Sequence, residues 1–290
     1  MKEKIAYSYV LEHDTGFAPN PFFEYLTLAG CKPLLWGKKG IRKEVTKELV
    51  KNRDVWIFAN GGCNLLLENY EYKNGKLKEL PSNCDSYHRL VYAFKVKEVL
   101  TFEEYYKKPC FSDKRRKFAS SHLGTFGDNN LHSHKICDKD HSKHYIEDPI
   151  VEFSNGKLIE KSCQITLVIN VDNVLISGKN QFYYFGCFAP KILGNLDEYF
   201  KKGIRNRTIR DERIINEIVR RIEEISDPGI HGFPSFHTSK DYRMFANNSN
   251  YIREIYNECF DSQTKMIIKD WIIKMQDIRK IKNHTIKLAI

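Results

Sequence analysis

The chain has 290 residues and a formal net charge of +10 at pH 7. This length suits one large domain or a domain with an appended helical part, because cores tend to divide only beyond roughly 250 residues. The positive charge favours nucleic acid or another polyanion as partner. The eight cysteines show no paired spacing, and neither a secretory signal nor an apolar run of membrane-spanning length is present. We therefore expect a cytoplasmic protein without disulfides or membrane association.

The first strand and the loop after it carry the most informative residues. Apolar and smaller residues alternate over residues 5–11, which predicts a strand with one buried face. Two prolines then hold Asn20 on an irregular loop. His13, Asp14 and Asn20 offer an acid–base group, a carboxylate and an amide within eight positions. The alternative is a purely structural turn capped by Asp14 and Asn20.

Local patterns predict the elements that follow. A short basic helix is expected over 43–50, a strand over 54–59 and a second strand over 90–96. Thr101 is expected to cap a short helix, since its hydroxyl can accept from first-turn amides.

Two segments rich in turn-forming residues lie between these elements. Asn60-Gly61-Gly62 predicts a hairpin turn, and a phosphate-binding loop is the weaker alternative because no Gly-Lys-Ser/Thr follows. Residues 70–83 predict an exposed connection.

The middle of the chain, 109–148, is polar, basic and rich in histidine. Possible metal ligands there are His122, His132, His134, Cys137, Asp138, Asp140, His141, His144 and Asp148. No Cys-x2-Cys pair anchors a tetrahedral zinc site, and lysines interleave the ligands as in a solvated loop. We expect no metal and no cofactor.

Strands return over 164–171, 173–177 and 181–186, and the turn residues 178–180 predict that the last two form a hairpin. Apolar residues at helical spacing follow over 214–225, and again from about residue 250. The sequence thus predicts an α+β protein, with a β-rich body over 1–235 and a C-terminal helical extension over 236–290 packed on it.

Eight motifs follow one another along the chain: Tyr7-Ser-Tyr-Val10, His13-Asp-x-Gly-x-Ala-Pro-Asn-Pro-Phe22, Thr27-Leu-Ala-x-Cys-Lys-Pro33, Asp54-Val-Trp-Ile57, Arg89-Leu-Val-Tyr-Ala-Phe-Lys-Val96, Gly127-Asp-Asn129, Val174-Leu-Ile-Ser177 and Phe182-Tyr-Tyr-Phe-Gly186. Together they resemble the nucleotide-modification-associated domain, type two, a bacterial and phage family. The resemblance implies a part in systems that make, read or remove modified bases. A weaker fold-level likeness to PUA and EVE base-reading barrels rests on the strand around residues 90–96.

The resemblance and the residues together predict a protein that binds DNA or a nucleotide and recognises a modified base in an N-terminal pocket. The candidate base-binding residues are Tyr9, Asn20, Phe22, Lys32, Asn129 and Tyr184, and the candidate phosphate-binding residues are Lys114, Arg115, Arg116 and Lys117. The N-terminal loop and the segment around Asp128 are expected to converge. The alternative is an enzyme that cleaves a glycosidic bond or transfers a group, with His13, Asp14 and Asp128 as acid–base residues.

Overall fold

The computed structural model describes residues 2–11, 14, 19–29, 41–62, 65, 70–74, 76–80, 86–114, 128, 131–132, 150–154, 157–162, 165–168, 173–192, 194–200, 207–232 and 234. These residues form an α+β structure, as predicted. The largest of the sheets that they form holds the main hydrophobic core.

The main sheet contains seven of the described strands. They are β1 (Lys4–Leu11), β2 (Thr27–Leu28), β3 (Asp54–Gly61), β6 (Leu90–Thr101), β11 (Asn173–Tyr184), β12 (Arg207–Ile209) and β13 (Gly229–Ile230). The strand order is β12-β1-β3-β6-β11-β13, and β2 also pairs with β11. β1 and β3 are parallel, whereas β6 is antiparallel to both β3 and β11.

Helices cover both faces of β1. The helix between the parallel strands, α1 (Ile41–Val50), lies near Tyr7, whose pKa is raised to about 12 by burial and by the carboxylates of Glu48 and Glu44. On the other face, Lys4 Nζ donates to Asn216 Oδ1 of α3 (Glu212–Glu223) at 2.6 Å. Seven of the eight residues of β1 are therefore buried, and the prediction of a single buried face is wrong.

Two pairs of antiparallel strands lie outside the main sheet. β4 (Tyr70–Lys73) pairs with β5 (Lys76–Glu79), and Asn74, directly after β4, has φ of 51°. This left-handed conformation is one that asparagine tolerates well. Paired strands therefore occupy most of the predicted exposed connection over 70–83.

The second pair belongs to a smaller sheet of order β10-β9-β8-β7. Its strands are β7 (Leu131–His132), β8 (Ile150–Ser154), β9 (Lys157–Ser162) and β10 (Ile165–Val168). β8 and β9 are antiparallel, with Ile150 opposite Lys161 and Ser154 opposite Lys157.

Two predicted hairpin turns in the main sheet are wrong. Asn60 and Gly61 lie inside β3, which pairs with β1 on one side and β6 on the other. Residues 178–181 form a bulge and not a hairpin turn, because the parts of β11 before and after them both pair with β6 in antiparallel orientation. Asn180 takes φ of 50° there, and its amide donates to Glu24 O at 2.7 Å.

The remaining helical predictions are confirmed where the chain is described. α2 (Phe102–Lys107) begins with a capping box formed by Thr101 and Glu104. α3 begins at an Asp211 cap and buries Ile215, Ile218 and Ile222. Short 3-10 helices cover Ser86–His88, Pro109–Lys114, Gly186–Phe188 and Gly194–Tyr199.

The predicted helices beyond residue 250 and the division at residue 235 lie outside the described residues. Of the helices that are described, none is long and apolar enough to cross a lipid bilayer.

The capping box of α2 gives a stability prediction. Thr101 Oγ1 accepts from the Glu104 amide at 3.2 Å, and the Glu104 carboxylate accepts from the Thr101 amide at 2.8 Å. Thr101→Ala should lower the free energy of unfolding in a urea titration by about 1 kcal/mol, because it leaves a first-turn amide without its acceptor. Thr101→Ser keeps the hydroxyl and should keep most of the free energy of unfolding. An equal loss in both variants would show that the hydroxyl does not cap the helix.

Candidate functional site

The chain between β1 and β2 must cross the main sheet. β2 pairs with β11, and β11 is separated from β1 by β3 and β6. Asp14 lies on this crossing and is buried. Its Oδ2 accepts from the hydroxyl of Tyr184 on β11 at 2.7 Å, so the chain is tied to β11 soon after it leaves β1.

A row of tyrosines lies on the sheet face that holds Asp14. Tyr9, Ala59, Tyr92 and Tyr184 are opposite one another on β1, β3, β6 and β11. Because Ala59 is small, the hydroxyls of Tyr9 and Tyr92 meet over it in a hydrogen bond. Burial and the Asp14 carboxylate raise the pKa of Tyr184 well above its ordinary value. The Tyr184 hydroxyl is therefore protonated at neutral pH and donates to Asp14.

The segment 19–29, here called the N-terminal loop, closes on itself beside β11. Asn20 and Thr27 exchange two backbone hydrogen bonds of 2.9 Å each. Phe23 and Glu24 at the tip have φ of 59° and 65°. Neither residue type favours this left-handed region, and its cost is roughly 1–2 kcal/mol per residue. The tip is therefore strained and must be held by its surroundings.

A buried polar network holds the base of the N-terminal loop. Lys114 Nζ donates to Asn20 Oδ1 at 2.6 Å, to Asn20 O at 3.2 Å and to Thr27 Oγ1 at 3.1 Å. Thr27 Oγ1 donates to Asp128 Oδ2 at 2.5 Å, and Tyr105 OH donates to Asp128 Oδ1 at 2.6 Å. All five residues are fully buried or nearly so. The network joins four separate parts of the chain.

The charges of this network are costly to bury. Desolvation lowers the pKa of Lys114 from 10.5 to about 8, although Asp128 opposes the shift. Desolvation and the Asp128 carboxylate raise the pKa of Tyr105 well above its ordinary value. An ammonium has three donors, and Lys114 directs all three at neutral oxygens. The hydrogen bonds offset the desolvation and fix the loop in one position.

The tip of the N-terminal loop presents aromatic rings at the surface. Phe23 and Tyr25 are half-buried, and Tyr25 packs edge-on against Phe111 with ring centroids 5.0 Å apart. Glu24 is exposed and pairs with Lys179 of the β11 bulge at 3.0 Å. The tip thus combines partly exposed rings with an exposed cation.

Sequence similarity identifies the family to which the chain belongs. A sequence model of nucleotide modification associated domain 2 matches residues 3–241. The chain belongs to this family. No curated protein and no solved structure matches the chain. The family name associates the domain with nucleotide modification, which is consistent with the predicted base-modification system.

The predicted site residues that the structure describes lie in two groups. Asn20 and Asp128, which we expected to converge, are both in the buried polar network, while Asp14 is bound to Tyr184. The backbone positions of the two groups are six residues apart along β6, at Glu98 and Tyr92, or about 20 Å. A binding or acid–base role for these residues stays a prediction.

Some predicted contacts need correction. Lys114 is fully buried, so it does not contribute to a phosphate-binding surface, because its ammonium is used inside the buried polar network. The rings of Tyr9, Phe22 and Tyr184 pack in the main core. The half-exposed Phe23 and Tyr25 are the aromatic residues that the loop presents instead.

Other predicted residues lie outside the described part of the chain. These are His13, Lys32, Arg115, Arg116, Lys117 and Asn129, and most of the histidine-rich segment. No cluster of three potential metal ligands occurs among the described residues.

Sequence reasoning missed Thr27, Tyr105 and the pair His88–Asp197. Thr27 and Tyr105 complete the buried polar network, and His88 Nδ1 lies within ion-pair distance of Asp197 Oδ2. Thr27 lies inside one of the recognised motifs, so that motif was a usable signal. Nothing local in the sequence links His88 to a residue over a hundred positions away.

The low pKa of Lys114 predicts a stability that rises with pH. Its folded pKa lies below the unfolded value, so the penalty is fully present below about pH 8 and is relieved as pH rises towards 10.5. Wild type should gain about 2 kcal/mol in free energy of unfolding between about pH 7 and pH 9.5 from this group. Urea titrations across that range measure the gain.

Lys114→Met should lack this gain. Lys97→Met, at an exposed lysine of β6, should keep the wild-type pH dependence. Equal pH profiles for wild type and Lys114→Met would contradict a buried ammonium.

Proposed function

We propose that this protein binds nucleic acid in a base-modification system and that the tip of the N-terminal loop stacks on a base. The observation that carries the proposal is the strained tip, where Phe23 and Tyr25 are only half-buried and which is held by a fully buried charged network. Every base has a π-face, so aromatic side chains are effective contacts for unpaired or flipped bases.

The strain at the tip supports a binding role. Two consecutive non-glycine residues with positive φ cost free energy that glycine or asparagine would avoid. The loop keeps Phe23 in this conformation, with its half-buried ring packed partly against the main core and partly accessible. Such strain concentrates at ligand-binding positions, where it fixes a side chain in the bound geometry.

The buried polar network supports the same role from below. A loop that became ordered only on binding would lose affinity to the entropy of ordering. Lys114 and Asp128 reduce this loss by fixing Asn20 and Thr27 before any ligand arrives. In this proposal Asn20 and Asp128 position the loop, and specificity for a modified base comes from the groups around it.

Charge supplies the affinity that does not depend on sequence. The net charge of +10 and the exposed Lys179 beside the tip favour a phosphate backbone. Arg115, Arg116 and Lys117 remain the predicted phosphate contacts. Each contacted phosphate of a single strand should add about −0.7 to the log–log slope of affinity against salt.

Replacing Phe23 with glycine separates stacking from folding. Phe23→Gly removes the ring, and glycine adopts the required positive φ without strain. The affinity for a short oligothymidylate should fall by about 5-fold to 150-fold, which corresponds to the 1–3 kcal/mol of one stacked base. Fluorescence anisotropy over a series of salt concentrations measures the affinity, and the salt slope should stay unchanged.

Glu24→Gly is the matched control, because it relieves the same kind of strain and keeps the ring. Its affinity should equal or exceed that of wild type, since it also removes a negative charge beside the phosphates. An unchanged affinity in both Phe23→Gly and Tyr25→Ala would exclude stacking at the tip.

A further inference from the structure

Strands β4 and β5 carry a group of lysines on the face that points away from the main core. Residues directly opposite each other in an antiparallel pair share a face, and successive residues alternate between the two faces. Tyr72 and Leu77 are opposite each other and pack in the main core. The next opposite pair, Lys73 and Lys76, therefore points outwards, and so does Lys78. All three lysines are exposed, and we call this surface the lysine face.

The acidic residue that β4 contributes to the lysine face does not neutralise it. Glu71 is opposite Lys78, but Glu71 Oε2 accepts from the backbone amide of Lys191 at 2.9 Å. Lys191 is itself exposed and lies at the edge of the lysine face. Within the described part of the chain, none of these four lysines forms an ion pair. The lysine face therefore keeps a positive charge.

This arrangement differs from that of other exposed lysines on the main sheet. Lys95 pairs with Asp54 at 2.7 Å, and Lys179 pairs with Glu24 at 3.0 Å. Like charges directly opposite each other destabilise a pair of strands. A lysine on an exposed strand can also prevent unwanted strand pairing, but that purpose does not require two lysines opposite each other. An anionic partner accounts for both the repulsion and the missing carboxylates.

Hydrogen bonds to the rest of the protein hold β4 in place. Tyr70 O accepts from Arg89 Nη2 at 2.6 Å, and the backbone amide of Asn74 donates to Ile225 O at 2.8 Å. Both ends of β4 are thus attached to the body of the molecule. The lysines project from a framework that is fixed before a partner arrives, which reduces the entropy lost on binding.

From these observations we infer that the lysine face binds the phosphate backbone of the nucleic acid whose base stacks on the tip of the N-terminal loop. Lys76 and Lys78 are two strand positions apart, or about 7 Å, and Lys73 lies about 5 Å across from Lys76. One nucleic-acid backbone can therefore contact all three. The inference rests on the proposed function and adds to it a contact that does not read sequence.

The lysine face and the loop tip lie towards opposite ends of β6. Arg89, which holds Tyr70, directly precedes β6, whereas Thr27 of the N-terminal loop is opposite Ile176, which is opposite Glu98. Nine strand positions separate Arg89 from Glu98, or about 30 Å. A strand of about 20 nucleotides can span this distance, since even at the 3.4 Å per nucleotide of a duplex it is about 70 Å long.

The test measures how the affinity for an oligothymidylate of about 20 nucleotides depends on salt, by fluorescence anisotropy. The combined variant Lys73→Gln, Lys76→Gln and Lys78→Gln should make the log–log slope less steep by about 2, because each contacted phosphate of a single strand contributes about 0.7. The corresponding triple variant with arginine keeps the charge and should keep the wild-type slope.

A matched control removes the same charge from another cluster of exposed lysines. Lys43→Gln, Lys47→Gln and Lys51→Gln together alter the exposed side of α1 and the residue after it. Lys47 and Lys51 are already paired with Glu44 and Glu48, at 3.1 Å and 3.3 Å. This control variant should keep the wild-type salt slope.

Four outcomes would overturn the inference. They are equal salt slopes in wild type and the lysine-face glutamine variant, an equal change of slope in the α1 control, self-association of the glutamine variant with unchanged oligothymidylate binding, and loss of polyglutamate binding alone. The third outcome would assign the lysines to preventing strand pairing, and the fourth would assign them to an acidic protein.

The same titrations separate this inference from the proposed stacking. Phe23→Gly should lower the affinity by the same factor in wild type and in the lysine-face glutamine variant, because the two contacts are far apart. If Phe23→Gly has no effect while the glutamine variant changes the slope, stacking fails and the lysine face stands. If wild type does not bind oligothymidylate at all, both fail.

Discussion

The parallel pairing of β1 with β3 is the constraint on which the rest of the described structure depends. Parallel neighbours cannot be joined by a tight turn, so the chain needs a long crossover between them. This crossover contains more than α1, because it first crosses β3, β6 and β11 to place β2 beside β11. The N-terminal loop is therefore part of the connection that the parallel pair requires, and its position follows from the topology.

A crossing of this kind needs anchors, and the structure provides polar ones. Asp14 is held by Tyr184, and the base of the loop is held by Lys114. Apolar packing alone would leave the loop free to slide along the sheet, since hydrophobic contacts are not directional. Hydrogen bonds to a buried carboxylate and ammonium have one satisfactory geometry, because a lost partner leaves a charge unpaired in the interior. The same rigidity is what allows the tip to keep its strained conformation.

Short-range patterns were sufficient for much of the fold. The strands around residues 5–11, 54–59 and 90–96 and the Thr101 cap depend on neighbouring residues, and a sequence shows these directly. The bulge at 178–181 was misjudged, since its residues favour a hairpin and only the register with β6 shows that the strand continues. Likewise, alternation in β1 indicated one buried face, whereas its central place between two covering helices buries both.

The candidate sites depend on contacts that no local pattern encodes. Lys114 belongs by sequence to a basic run, yet its ammonium binds residues of a loop some ninety positions earlier. Asn20 and Asp128 were predicted to lie close together because each stands in a polar segment that interrupts regular structure. Both belong to the buried polar network. His88 lacked any such signal, because its partner lies on a 3-10 helix over a hundred positions later.

The two ends of β6 therefore present different chemistry on one rigid strand. Near Glu98 the neighbouring loop offers aromatic rings and a cation, which suit a base and its phosphate. Near Leu90 the ends of β1 and β3 adjoin the ion-pair contact between His88 and Asp197. β6 is hydrogen-bonded to β3 and to β11 along most of its length, so the separation of the two ends is fixed.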